Sequence, residues 1–68
     1  MSLLYEEKAY TVGDNIRHLR KDLNLTQKEL AKEVGLTQAQ ISDYERGFRV
    51  PSLHTLDKLL MFFKGKIR

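Results

Sequence analysis

Sorted into apolar and polar positions, the chain falls into four stretches with a helical period. Val12, Ile16, Leu19 and Leu23 recur every three or four residues, so they share one face of a helix beginning after Thr11. Asp14 sits in its first turn, where a carboxylate suits the helix dipole, and Asn24 suits a left-handed stop. Leu30, Ala31 and Val34 mark the buried face of a second helix, and Ile41 and Tyr44 that of a third. Leu53, Leu56, Leu59, Leu60 and Phe63 mark a fourth, with Ser52 as its N-cap. At about 100° per residue, Met61 and Phe62 fall outside that last face, so the helix is apolar nearly all round. Two coverings suit the surplus. Either the first ten residues fold over it, or Met61 and Phe62 belong to a subunit interface.

The two central stretches are joined in a particular way. Thr26-x-x-Glu29 and Thr37-x-x-Gln40 are capping-box patterns, each placed just before a helical apolar rhythm. In such a box the threonine oxygen accepts an orphan backbone N–H, and the Glu or Gln reaches back to the cap. Ala31 is small where the two helices approach, and Gly35 tolerates the positive φ that ends a helix. Two short helices about a tight turn, at this spacing, describe a helix-turn-helix. The second helix of that unit is the one that enters the DNA major groove.

Composition narrows the alternatives. Sixty-eight residues make one domain at most, and a core of that size usually needs a staple or a partner. With no cysteine, disulfides and thiolate metal sites are excluded, and the isolated His18 and His54 do not build a zinc site. No metal or cofactor is therefore expected. No nucleophile elbow, phosphate loop or carboxylate dyad is present, which argues against an enzyme. No apolar run approaches the roughly 20 residues of a membrane span, and no charged-then-apolar leader opens the sequence. A soluble cytoplasmic protein without membrane contact is expected, stapled by a second subunit. The net charge of +3 and pI of about 9.4 distinguish little by themselves. Their distribution says more: Arg17, Arg20 and Lys21 cluster late in the first helix, Lys28 opens the second, and Arg46 and Arg49 flank the loop after the third.

Three regions follow. Residues 1–10 lack a clean period and form an N-terminal arm; residues 11–63 form the domain; residues 64–68 form a C-terminal tail, either frayed or the start of a strand pairing with its symmetry mate. Between the third and fourth helices, Arg46-Gly-Phe-Arg-Val-Pro51 is a loop, with Gly47 as terminator and Pro51 blocking backward extension of the next helix.

Taken together, these elements resemble the phage-repressor and Cro-like family, often called XRE, over about Thr11 to Phe63. The resemblance rests on Ile16-Arg-x-Leu-Arg20, Leu25-Thr-Gln-x-Glu-Leu-Ala31, Gly35-Leu-Thr-Gln38, Ile41-Ser-x-Tyr-Glu-x-Gly47 and Pro51-Ser-Leu-x-x-Leu56. It implies an all-α, lambda-repressor-like domain of four or five helices that binds operator DNA as a homodimer. One departure stands out: Lys64-Gly-Lys-Ile-Arg68 lacks the length and period of the fifth helix that family members often use to dimerise. The family pattern also matches Arg20 and Glu45 to an ion pair joining the first helix to the third.

If the third helix reads DNA, its start faces the bases, and Thr37, Gln38, Ala39, Ser42, Asp43 and Arg46 are the base-reading candidates. Gln38 suits adenine N6 and N7, Ala39 a thymine methyl, and Asp43 either accepts from the amino group of cytosine or rejects guanine. Gln40 is assigned to its capping box. Gln27 stands where helix amides meet a phosphate; Arg17, Lys28 and Arg49 are the cationic phosphate partners, and Phe48 offers loop amides to the same strand. The function expected is transcriptional regulation, as a repressor, through double-stranded operator DNA. The alternative is an antitoxin that also represses its own operon, with a toxin or other protein as second partner.

Overall fold

Each helix start carries a hydroxyl side chain turned back onto the chain. In a computed structural model describing residues 11–66, the helices are α1 (Val12–Asp22), α2 (Gln27–Val34), α3 (Gln38–Glu45) and α4 (Leu53–Lys66). The N-terminal arm of residues 1–10 and the last two positions lie outside the described residues. Thr26 and Thr37 both close reciprocal capping boxes, with Glu29 and Gln40 returning to the cap amides at 2.8 and 2.9 Å. Thr11 closes a third box with Asp14, whose carboxylate was expected only to favour the dipole. Ser52 Oγ accepts the Thr55 amide at 3.2 Å and caps α4. Asn24 takes a left-handed conformation, with φ of 59°, between α1 and α2.

The core collects one stripe from each helix: Ile16 from α1; Leu30, Ala31 and Val34 from α2; Ile41 and Tyr44 from α3; Leu59 and Phe63 from α4. These are the side chains the helical period singles out, and their removal from water supplies most of the drive to fold. Leu19, Leu23, Leu25, Leu36 and Phe62 close its edges. Helices α1 and α3 meet at Gly13, where a Cβ would stand 1.9 Å from the Tyr44 carbonyl oxygen. Only a residue without a side chain permits that crossing.

Helix α4 departs from expectation in two respects. Its buried arc runs from Leu56 through Phe63 and Leu59 to Phe62, because the helix packs on α2 and leaves a groove toward α1. Phe62 is therefore half-buried, in edge contact with Phe63 at 5.6 Å, where the wheel placed it outside the buried face. Leu53 and Leu60, assigned to the buried face, instead stand in solvent together with Met61. Secondly, α4 continues through Lys64 and Gly65 to Lys66, where a frayed tail or strand was expected from residue 64. The Lys66 ammonium lies 5.5 Å from the centre of the Phe62 ring, one turn back, which ties down the last turn despite Gly65. Among the described residues there are four helices, no strand and no fifth helix.

Candidate nucleic-acid interface

Helices α2 and α3 are joined by Gly35, Leu36 and Thr37 alone. Gly35, at φ 72°, reverses the chain, and the Leu36 amide donates to the Ala31 carbonyl at 2.8 Å. Thr37 then starts α3. A side chain at position 35 would be forced into the left-handed region, so the turn fixes both the angle between the helices and the roll of α3.

That roll divides α3 into two rows. Ile41, Tyr44 and Glu45 face inward; Gln38, Ala39 and Arg46 are exposed, with Ser42 and Asp43 half-exposed between them. Thr37 is exposed, but its hydroxyl accepts the Gln40 amide at 3.1 Å and is committed to the cap.

Glu45 anchors the inner row. Arg20 from α1 grips it through two parallel bonds, Nε to Oε2 at 2.6 Å and Nη2 to Oε1 at 2.9 Å. A third donor, Nη1, reaches the Leu25 carbonyl at 2.7 Å. Both side chains are buried, at 9% and 3% exposure, so the charges must be matched where they sit. The hydrogen bond to Glu45 raises the Arg20 pKa above its usual value, against the opposing effect of burial and with help from the carboxylate's charge. Arg20 is thus unavailable to DNA and instead locks α1, the α1–α2 turn and α3 together.

The other sequence candidates fall into place around this pair. Gln27, at the start of α2, is half-buried, and its amide group donates to Glu45 Oε1 at 3.1 Å. Arg17 and Lys28 are exposed, and no ion pair engages them among the described residues. Arg49 lies 3.8 Å from Asp43 in an exposed ion pair. Phe48's own amide donates to the Asp43 carbonyl at 2.9 Å, so loop amides for a phosphate would come from its neighbours. Its ring instead carries the Arg46 guanidinium, 4.3 Å from the ring centre. The loop was read for its backbone, while its side chains do the organising. Sequence reasoning also missed Gly13, whose one signal is a poor helix former inside a first turn.

An α2–turn–α3 unit with its inner row locked and its outer row in solvent defines a helix-turn-helix domain of the lambda-repressor type. Comparison with known proteins agrees. The chain belongs to the helix-turn-helix family of Cro/C1 (XRE) type, whose sequence profile matches residues 16–68. It is 40% identical over 58 residues to the HTH-type transcriptional regulator DicA of Escherichia coli, covering 81% of this chain and 43% of that protein. It is 43% identical over 47 residues to an immunity repressor of Bacillus phage phi105, covering 69% and 33%. It is also 38% identical over 52 residues to the antitoxin PezA of Streptococcus pneumoniae, covering 76% and 33%. The chain thus spans less than half the length of each of these relatives. No solved structure matches. Among the described residues no helix is long and apolar enough to cross a membrane.

Proposed function

We propose that this chain binds double-stranded operator DNA as a homodimer, with α3 in the major groove, and represses transcription. The observation that carries the reading is the α3 division: a buried Arg20–Glu45 pair fixes the inner row, leaving Gln38, Ala39, Ser42, Asp43 and Arg46 facing out. Thr37 contributes by capping α3 with its hydroxyl rather than by reading a base. Gln27, Arg17, Lys28 and Arg49 are the phosphate partners, and they carry the salt dependence where they are charged. Relatives named as regulators and immunity repressors support this assignment. Such a protein works by binding rather than catalysis, in the cytoplasm, where operators lie.

Selection from random duplex DNA at two salt concentrations tests the reading. Enrichment of an inverted repeat, with half-sites roughly 10 bp apart centre to centre, is expected. Strongly salt-dependent binding with no enriched motif overturns it.

A second reading has one observation behind it. The likeness to a protein named as an antitoxin fits a chain that represses its own operon and also neutralises a toxin. It requires a toxin gene beside this one and a stable complex between the two products.

A further inference from the structure

The apolar surplus on α4 has a definite shape. Leu53, Leu60 and Met61 are 85%, 52% and 63% exposed. With Asp57 and Lys64, both exposed, they occur at spacings of four, three, one and three residues, so all five occupy one side of the helix. Beside them, Val12 and Leu19 of α1 and Leu56 and Leu60 of α4 line an apolar groove of about 210 Å³. Leu60 belongs to both surfaces, which makes them continuous.

The charges on this side select an occupant. Asp57 lies about one turn before the Leu60–Met61 step and Lys64 about one turn after it. Laid antiparallel on a second copy, about a two-fold axis through that step, α4 is complementary to itself. Leu60 then meets the partner's Met61, and Asp57 stands opposite the partner's Lys64, twice over by symmetry. A parallel arrangement would set like charges against each other.

We propose that this face is the dimer surface, where α4 pairs antiparallel with α4 of a second copy about the Leu60–Met61 step. The inference rests on the homodimeric reading above and deepens it by naming where the subunits meet. It keeps Met61 from the pair the sequence offered, sets aside Phe62, which packs against the core, and adds Leu53 and Leu60.

Sedimentation of the 68-residue chain across a concentration series provides the test, with far-ultraviolet dichroism confirming that each variant folds. A monomer–dimer equilibrium is expected. Asp57→Lys alone and Lys64→Glu alone should each weaken the dimer by up to roughly tenfold, since each sets two like pairs face to face. Asp57→Lys with Lys64→Glu should restore it. Leu60→Glu should give monomers. A wild-type monomer at every concentration overturns the proposal, as does a dimer indifferent to the charge exchange. The DNA reading is judged separately: a monomeric Leu60→Glu variant still binds a single half-site if that reading holds, and binds none if it fails.

Discussion

Gln27 and Glu45 stand 18 positions apart, yet the Gln27 amide group donates to Glu45 Oε1 at 3.1 Å, on the same carboxylate that holds Arg20. With one N–H fixed inward, the second N–H of that amide is turned away from the carboxylate. The buried ion pair therefore orients a side chain at the start of α2 as well as the roll of α3. Gln27→Ala is expected to reduce operator affinity by roughly tenfold or more, the loss of a hydrogen bond to a charged group, with little change in melting temperature. Because glutamine is neutral, the salt dependence should stay as it was. In an Arg20→Met, Glu45→Leu background the same substitution should matter much less. Equal losses in both backgrounds would show that the two sites are independent.

Arg20→Met leaves Glu45 buried without its cation. Stability should fall by about 3–5 kcal/mol, which unfolds much of a small domain at room temperature. Adding Glu45→Leu should recover most of it, since an apolar pair tolerates burial where a lone charge does not. The raised Arg20 pKa means that this stabilisation is present below the unfolded-state value and is lost only as pH rises through the folded one. From about pH 6 to 10 the Arg20 contribution should accordingly be constant. Thermal melts of the three proteins check this, and an unchanged melting temperature in Arg20→Met sinks the structural role.

Gly13→Ala places a methyl group against the Tyr44 carbonyl, and backbone rather than a movable side chain must yield. Separating α1 from α3 should destabilise the domain by about 1–3 kcal/mol. Chemical denaturation measures it directly.

The Arg46 guanidinium rests on the Phe48 ring. Phe48→Ala should leave stability intact and lower operator affinity by roughly threefold, the worth of an exposed cation–π contact, whereas Phe48→Trp should preserve it. Equal losses in the two variants would make the ring a DNA contact of its own shape rather than a platform.

Asp43 is the one carboxylate among the outward side chains of α3, and it engages Arg49. Asp43→Asn should raise affinity for random duplex while narrowing the gap to the operator. The salt slope should steepen by about one, as Arg49 is released to a phosphate. Titrations at several salt concentrations on both DNAs separate those effects.

Much of this molecule was legible before its structure, for a local reason. Capping boxes, helix stops and the apolar stripes of α1 to α3 depend on residues three or four apart, and sequence records such spacings directly. What depends on how helices lie against one another was not legible. Gly13 matters only because α3 crosses there. The half-burial of Phe62 and exposure of Leu53 and Leu60 follow from how α4 lies on α2, which no single helix reveals. The Arg46–Phe48 and Asp43–Arg49 contacts each involve the loop after α3, where no period exists to be read.

The separation of α3 into an inner and an outer row has a consequence for descent. Ile41, Tyr44 and Glu45 hold the helix, while Gln38, Ala39 and Arg46 make none of the bonds that do so. If α3 reads operator DNA as proposed, selection can exchange the outward residues one at a time, altering which operator is recognised while folding proceeds unchanged. A lineage built on this scaffold diversifies its targets by swapping a few letters on one helix, and two copies in one genome need little else to part company.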